Sequence, residues 1–159
     1  VFRCAVPLAP HVDEPQPEAV AVPAPPADFQ DRVIVVIDDD EAIVEGMRAL
    51  LEGWGARVIT SRDGTDVMAK VQAAGRLPEL LIADYRLEGE LIGTDLIARL
   101  QRDIDPEIPA ILVTGSTTPE RVAEAGRKGH RLLLKPVSPG RLKELIAIQL
   151  ERGAAPQGA

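Results

Sequence analysis

Three consecutive carboxylates, Asp38, Asp39 and Asp40, follow directly on the apolar run Val33-Ile34-Val35-Val36-Ile37, and a fourth, Asp84, follows directly on Leu80-Leu81-Ile82-Ala83. Two carboxylates about 4 Å apart repel by roughly 1 kcal/mol in water and about 4 kcal/mol at an effective dielectric near 20, so a crowded set takes up a cation or protons. Mg²⁺ suits such a set, because it prefers hard oxygen ligands, keeps several waters and is typically held by a couple of carboxylates with a phosphate oxygen. The plainer alternative is that Asp38 to Asp40 only cap the helix that follows, since Asp is favoured at a helix start and offsets its dipole. Asp40 is the residue expected to cap in either case.

Short, unbroken apolar runs of this kind read as strands buried on both faces, the habit of parallel sheets with helices above and below. Five such runs recur: Val33 to Ile37, Arg57 to Thr60, Leu80 to Asp84, Ile111 to Thr114, and Leu132 to Leu134. Between them apolar residues return at helical spacing: Ile43, Met47, Leu50, Leu51 and Trp54; Val67, Met68 and Val71 ahead of Gly75; Leu96, Ile97 and Leu100 after Gly93 or Thr94. Thr117-Thr118-Pro119-Glu120 reads as a helix start with a capping hydroxyl and a first-turn proline, and Ser138-Pro139 opens a last helix through Leu142, Leu145, Ile146 and Leu150.

Parallel neighbours need helical crossovers, and those crossovers are right-handed. The count fits a flavodoxin-like (βα)5 α/β fold, a doubly wound parallel sheet in strand order 2-1-3-4-5. In that order the first and third strands are neighbours at the switch point, where open α/β sheets bind their ligands. Asp38, Asp39 and Asp84 then converge, with Thr114 beside them and Lys135 entering from the far side.

This ordered set of strand ends resembles the receiver domain of bacterial response regulators, and the resemblance covers roughly 32 to 151. It implies Asp84 as phosphoacceptor, Asp38 and Asp39 with Asp84 as Mg²⁺ ligands, and Arg86 giving a backbone carbonyl to the metal. Thr114 would bind a phosphoryl oxygen and Lys135 would pair with the phosphoryl charge. The chemistry is compatible: a carboxylate nucleophile forms an acyl phosphate by in-line attack, and the protein has to position it and neutralise the equatorial oxygens. Two departures stand out. Leu132 occupies the place where many receivers carry a Tyr or Phe that swings with the hydroxyl residue, and the loop from Arg86 to Gly93 lacks the common Pro and is longer than usual. A cis bond at Lys135-Pro136 is expected to aim the lysine over the sheet edge, since X-Pro bonds adopt cis at a cost of only about 0.5 to 1 kcal/mol.

Asp38-Asp39-Asp40 also resembles the Asp-x-Asp of haloacid-dehalogenase phosphatases, but that family wants an acidic pair after the lysine strand, where Pro136-Val137-Ser138-Pro139-Gly140 stands here. That reading also leaves Asp84 unused. A pseudo-receiver that keeps the fold as an interaction module is a third reading, although it has no need of the complete acidic set. His11 and His130 sit in settings unlike that of a phosphodonor, read as ordinary exposed histidines, and put the donor elsewhere.

With 159 residues the chain suits one domain plus an appendage, and its net charge of -7 leaves no basic footprint for nucleic acid or membrane. No apolar run approaches the roughly 20 residues that span a bilayer, and the single Cys4 excludes an internal disulfide, with the cytoplasm as default compartment. Seven of the 14 prolines lie within residues 7–26, so 9–30 reads as a Pro/Ala-rich linker, with the receiver at 31–152 and a flexible tail at 153–159. Val1-Phe2-Arg3-Cys4-Ala5-Val6-Pro7-Leu8 alternates like a strand and resembles the closing strand of a sensor histidine kinase ATP-binding domain. The expectation is therefore the C-terminal receiver of a hybrid sensor histidine kinase, partnered by a histidine kinase or histidine phosphotransfer domain, with weak homodimerisation allowed.

Overall fold

The computed structural model describes residues 29–154; residues 1–8, the Pro/Ala-rich stretch up to 28 and residues 155–159 of the expected tail lie outside them, while Gly153 and Ala154 of that tail belong to the last helix. Strands β1 (Val33–Ile37), β2 (Arg57–Ser61), β3 (Leu80–Asp84), β4 (Ala110–Thr114) and β5 (Arg131–Leu134) alternate with helices α1 (Glu41–Gly53), α2 (Val67–Ala74), α3 (Gly93–Asp103), α4 (Pro119–Arg127) and α5 (Pro139–Ala154). All four strand pairs are parallel, in the order β2-β1-β3-β4-β5. The fold is flavodoxin-like, as the apolar runs require.

Side chains alternate across each strand, so one run of Val, Ile and Leu supplies two cores. Ile34, Val36, Ile82 and Val113 pack with Met47 and Leu51 of α1 and with Leu142, Leu145 and Ile146 of α5. Val35, Ile37, Ala83 and Leu112 pack with Val67 and Val71 of α2 and with Leu96, Ile97 and Leu100 of α3. Ile34, Leu81, Ile82 and Ile111 are fully buried, and truncating one of them to Ala has a typical cost of about 2 to 5 kcal/mol. This two-sided burial fixes the register that carries Asp38 and Asp84 to the same edge.

Helix α4 is held differently, because among its residues only Ala125 is buried and Val122 is 49% exposed. Its expected hydroxyl cap is absent: Thr118 stands at the N-cap with no side-chain hydrogen bond. Pro119 at the first turn already carries the helical φ and removes one orphan donor, so the cap is not needed to start the helix. Asp40 caps α1 as expected, accepting from the Ala42 amide at 2.9 Å.

The core also reaches back to Phe29, which is 4% exposed and meets Trp54 edge to face at 5.9 Å between ring centroids. The expected linker of 9–30 is corrected here at its end, because Phe29 belongs to the core of the domain, a long-range contact that leaves no periodic signal beside the prolines.

Candidate phosphoryl and metal site

At the carboxyl edge of the sheet, ligand atoms of Asp38, Asp39 and Asp84 lie within 4.8 Å of one another. β1 and β3 pair with Ile37 opposite Ala83, so the next residue of each strand emerges at the same level. Asp38 is held in place by two bonds: its amide donates to the Ser61 carbonyl at 3.2 Å, and its Oδ1 accepts from the Asp40 amide at 2.9 Å. Lys135 enters from β5, its amide bonded to the Thr114 carbonyl at 2.8 Å, and the Lys135-Pro136 bond that follows is cis. Its Nζ lies 3.1 Å from Asp38 Oδ2 and 3.4 Å from Asp84 Oδ1.

One ammonium thus bridges two of three carboxylates. Burial pushes the Asp84 carboxyl above its usual range, Lys135 pulls it down, and the neighbouring charge of Asp38 pushes it up again, with a net rise. Burial alone would lower the Lys135 ammonium, but the Asp38 hydrogen bond and the charges of Asp38 and Asp84 leave it raised and firmly protonated. The three carboxylates exceed what one lysine can neutralise. A hard divalent cation fits the donor set, since all the available ligands are oxygens at one open edge.

Arg86 follows Asp84 by two residues and starts a small hairpin not foreseen in the loop: Leu87 donates to the Leu91 carbonyl at 3.0 Å and Gly93 to the Tyr85 carbonyl at 2.9 Å. Arg86 and Ile92 face each other between those bonds, so the Arg86 amide and carbonyl stay outside the hairpin's ladder. The amide is the least of the influences that pull the Asp84 carboxyl down. Gly89 and Glu90 make the turn, both with positive φ, at 75° and 64°.

Thr114 ends β4 and is 2% exposed. Its hydroxyl donates to the Ser116 carbonyl at 2.9 Å and accepts from the Ser116 amide at 3.3 Å, while Arg121 Nη1 reaches both Thr114 Oγ1 and the Ser116 carbonyl at 3.5 Å. Beyond it Tyr85 lies under Arg121, 4.7 Å from ring centroid to guanidinium carbon, and donates its hydroxyl to Glu124 Oε2 at 2.9 Å. Thr94 donates to the other oxygen of Glu124 at 2.9 Å. These two donors, Thr94 first and Tyr85 next, hold the Glu124 carboxyl below its usual range.

Sequence reasoning missed this second set. The available signal was spacing: Arg121 and Glu124, three apart on α4, share a face that turns toward the sheet end.

His130 departs from expectation. It is 8% exposed, and burial first, then the Lys128 charge, push its imidazole below the ordinary value. Gly129, at φ 73°, turns the chain back, and the His130 amide bonds the Ala125 carbonyl at 2.9 Å, which tucks the ring beneath the end of α4. His11 lies outside the described residues.

Comparison with known proteins bears on the family of the chain. The chain is 33% identical over 121 residues to the phosphate regulon transcriptional regulatory protein PhoB of Rhizobium meliloti, covering 75% of this chain and 52% of that protein. It is 31% identical over 120 residues to the nitrogen assimilation regulatory protein NtrX of Azorhizobium caulinodans, covering 74% of this chain and 26% of that one. The chain thus spans from about a quarter to about half the length of these relatives. A CheY-like response regulator receiver domain protein from Methanospirillum hungatei superposes with a TM-score of 0.68 at 26% identity, over 78% of this chain and 97% of that one. Residues 34–147 match the family described as the response regulator receiver domain, and the chain belongs to that family.

Proposed function

We propose that this domain is the phosphoacceptor of a two-component phosphorelay, with Asp84 as the residue that takes the phosphoryl group. The observation that carries the proposal is the sharing of Lys135 between Asp38 and Asp84, with Asp39 completing the acidic set. An Asp84 carboxylate oxygen attacks the phosphorus of a phosphohistidine on a histidine kinase or phosphotransfer domain. The O–P bond forms as the P–N bond breaks, the P–N electron pair stays on the freed ring nitrogen, and the proton already carried by the other ring nitrogen makes the leaving group a neutral imidazole. Lys135 pairs with the incoming charge and holds Asp84 in line, and the Thr114 hydroxyl donates to a phosphoryl oxygen. Asp38, Asp39, Asp84 and the Arg86 carbonyl would hold Mg²⁺, which when bound supplies charge neutralisation of the phosphoryl oxygens.

Incubation with Mg²⁺ and acetyl phosphate followed by intact mass tests this reading. One phosphoryl mass is expected on the wild type and none on Asp84→Asn. Label on Asp38 would instead favour the phosphatase chemistry, and no label at all would favour an interaction module.

The finer context is part of the proposal. The alternating Val1 to Leu8 and the prolines that follow favour a receiver tethered behind a histidine kinase, in the cytoplasm, where the tether would raise the donor's effective concentration toward millimolar. The net charge of -7 over the 159 residues argues against the chain itself binding nucleic acid. Sequencing the gene upstream of Val1 tests the fusion, since a dimerisation helix with a donor histidine should be encoded there.

A further inference from the structure

The Thr114 hydroxyl has one proton, and the Ser116 carbonyl holds it. To donate to a phosphoryl oxygen on Asp84, the hydroxyl has to leave that carbonyl. Arg121 Nη1 touches both atoms of this bond, at 3.5 Å each, so the movement changes the guanidinium's surroundings as well. Arg121 belongs to α4, the helix whose attachment rests least on apolar burial. What holds α4 to the sheet end is polar: Arg121 over the Tyr85 ring, Glu124 on the Tyr85 and Thr94 hydroxyls, and Lys128 on Asp95 at 3.2 Å. Elements held by few buried apolar contacts open and shift at low free-energy cost. An open groove of about 580 Å³, bordered by Tyr85, Arg86, Ile92 and Arg121, leaves the guanidinium room to follow. Arg121 forms no ion pair among the described residues, so no carboxylate ties it to its present place.

We propose that Arg121 is a positioning residue that acts through Thr114: it braces the hydroxyl against Ser116 in the unphosphorylated domain and carries the hydroxyl's displacement into α4 when Asp84 is phosphorylated. The place of Leu132 fits this assignment, because an aliphatic side chain on β5 offers no ring or hydroxyl to follow Thr114. The inference rests on the phosphoacceptor reading of Asp84.

The test compares wild type, Arg121→Ala and Arg121→Lys with Mg²⁺ and acetyl phosphate, at equal phosphoryl occupancy set by intact mass. The readout is the phosphorylation-dependent change in amide NMR shifts of residues 119–127. Wild type should show a clear change, Arg121→Lys a reduced one, and Arg121→Ala less than about a third of it. A full response in Arg121→Ala overturns the inference. Loss of all mass gain in Arg121→Ala overturns it too, since that would place Arg121 on the reacting group itself. No mass gain in the wild type overturns the phosphoacceptor reading first and this inference with it.

Discussion

A Cβ placed on Gly93 would lie 2.1 Å from the carbonyl oxygen of Asp84. The first turn of α3 is therefore laid against the backbone of the very residue that carries the candidate phosphoacceptor, and the Gly93 amide fixes the approach by donating to Tyr85 at 2.9 Å. The demand is steric, and a larger residue can be admitted only by moving the end of β3. Gly93→Ala should lower stability by about 1 to 3 kcal/mol and slow phosphorylation of Asp84, because the displaced backbone carries the carboxylate with it. Urea unfolding and the rate of mass gain check both halves. An unchanged urea midpoint would show that the two segments part without cost.

Asp39 is the least compensated of the acidic set. Lys135 sits within 3.4 Å of Asp38 and Asp84, while among the described residues Asp39 makes no ion pair. Replacing Asp39 with Asn should therefore raise stability without Mg²⁺ by about 1 kcal/mol, by removing one repelling charge from a partly solvated cluster. The same change should remove most of the stabilisation that Mg²⁺ gives the wild type. Thermal melts of both proteins with and without MgCl₂ separate the effects, and an equal Mg²⁺ gain in Asp39→Asn would take Asp39 out of the ligand set.

How much of this was legible follows from what each feature depends on. The strands and their order could be read because residues such as Val35 and Ile82 are buried on a sheet covered on both sides, which demands unbroken apolar runs. The convergence of Asp38, Asp39 and Asp84 then follows from topology alone. The Tyr85, Arg121 and Glu124 set was not legible, because its contacts are polar, long-range and made by a helix whose pattern is mostly solvent-facing. The burial of His130 was hidden for a related reason: it depends on the turn at Gly129 and on how α4 ends, neither of which leaves a periodic signal.

Asp40 tests whether the third acid of the run is structural. Its side chain accepts from the Ala42 amide at 2.9 Å, and its own amide donates to Asp38. Asp40→Ala keeps the amide and loses the cap, so it should cost about 0.5 to 2 kcal/mol in urea unfolding while phosphoryl mass gain on Asp84 persists. Loss of labelling in a folded Asp40→Ala protein would bring Asp40 into the site chemistry.

His130 should make stability depend on pH in the mildly acidic range. In the unfolded chain its imidazole titrates near the ordinary value of 6.5, whereas in the folded chain burial and the Lys128 charge, partly offset by Glu124, move it lower. Between the folded value and 6.5 the unfolded state binds more protons, so stability rises with pH across that window. The contribution is complete above 6.5 and is lost as pH falls toward the folded value. His130→Gln removes the titrating group while keeping a side chain that hydrogen-bonds, so its unfolding free energy should change less than that of the wild type between about pH 7.5 and about pH 5. The acidic cluster titrates in both proteins and cancels in the difference. Urea unfolding across that range, done without Mg²⁺, gives the two curves, and parallel curves would mean that the folded chain leaves the His130 proton as free as the unfolded chain does.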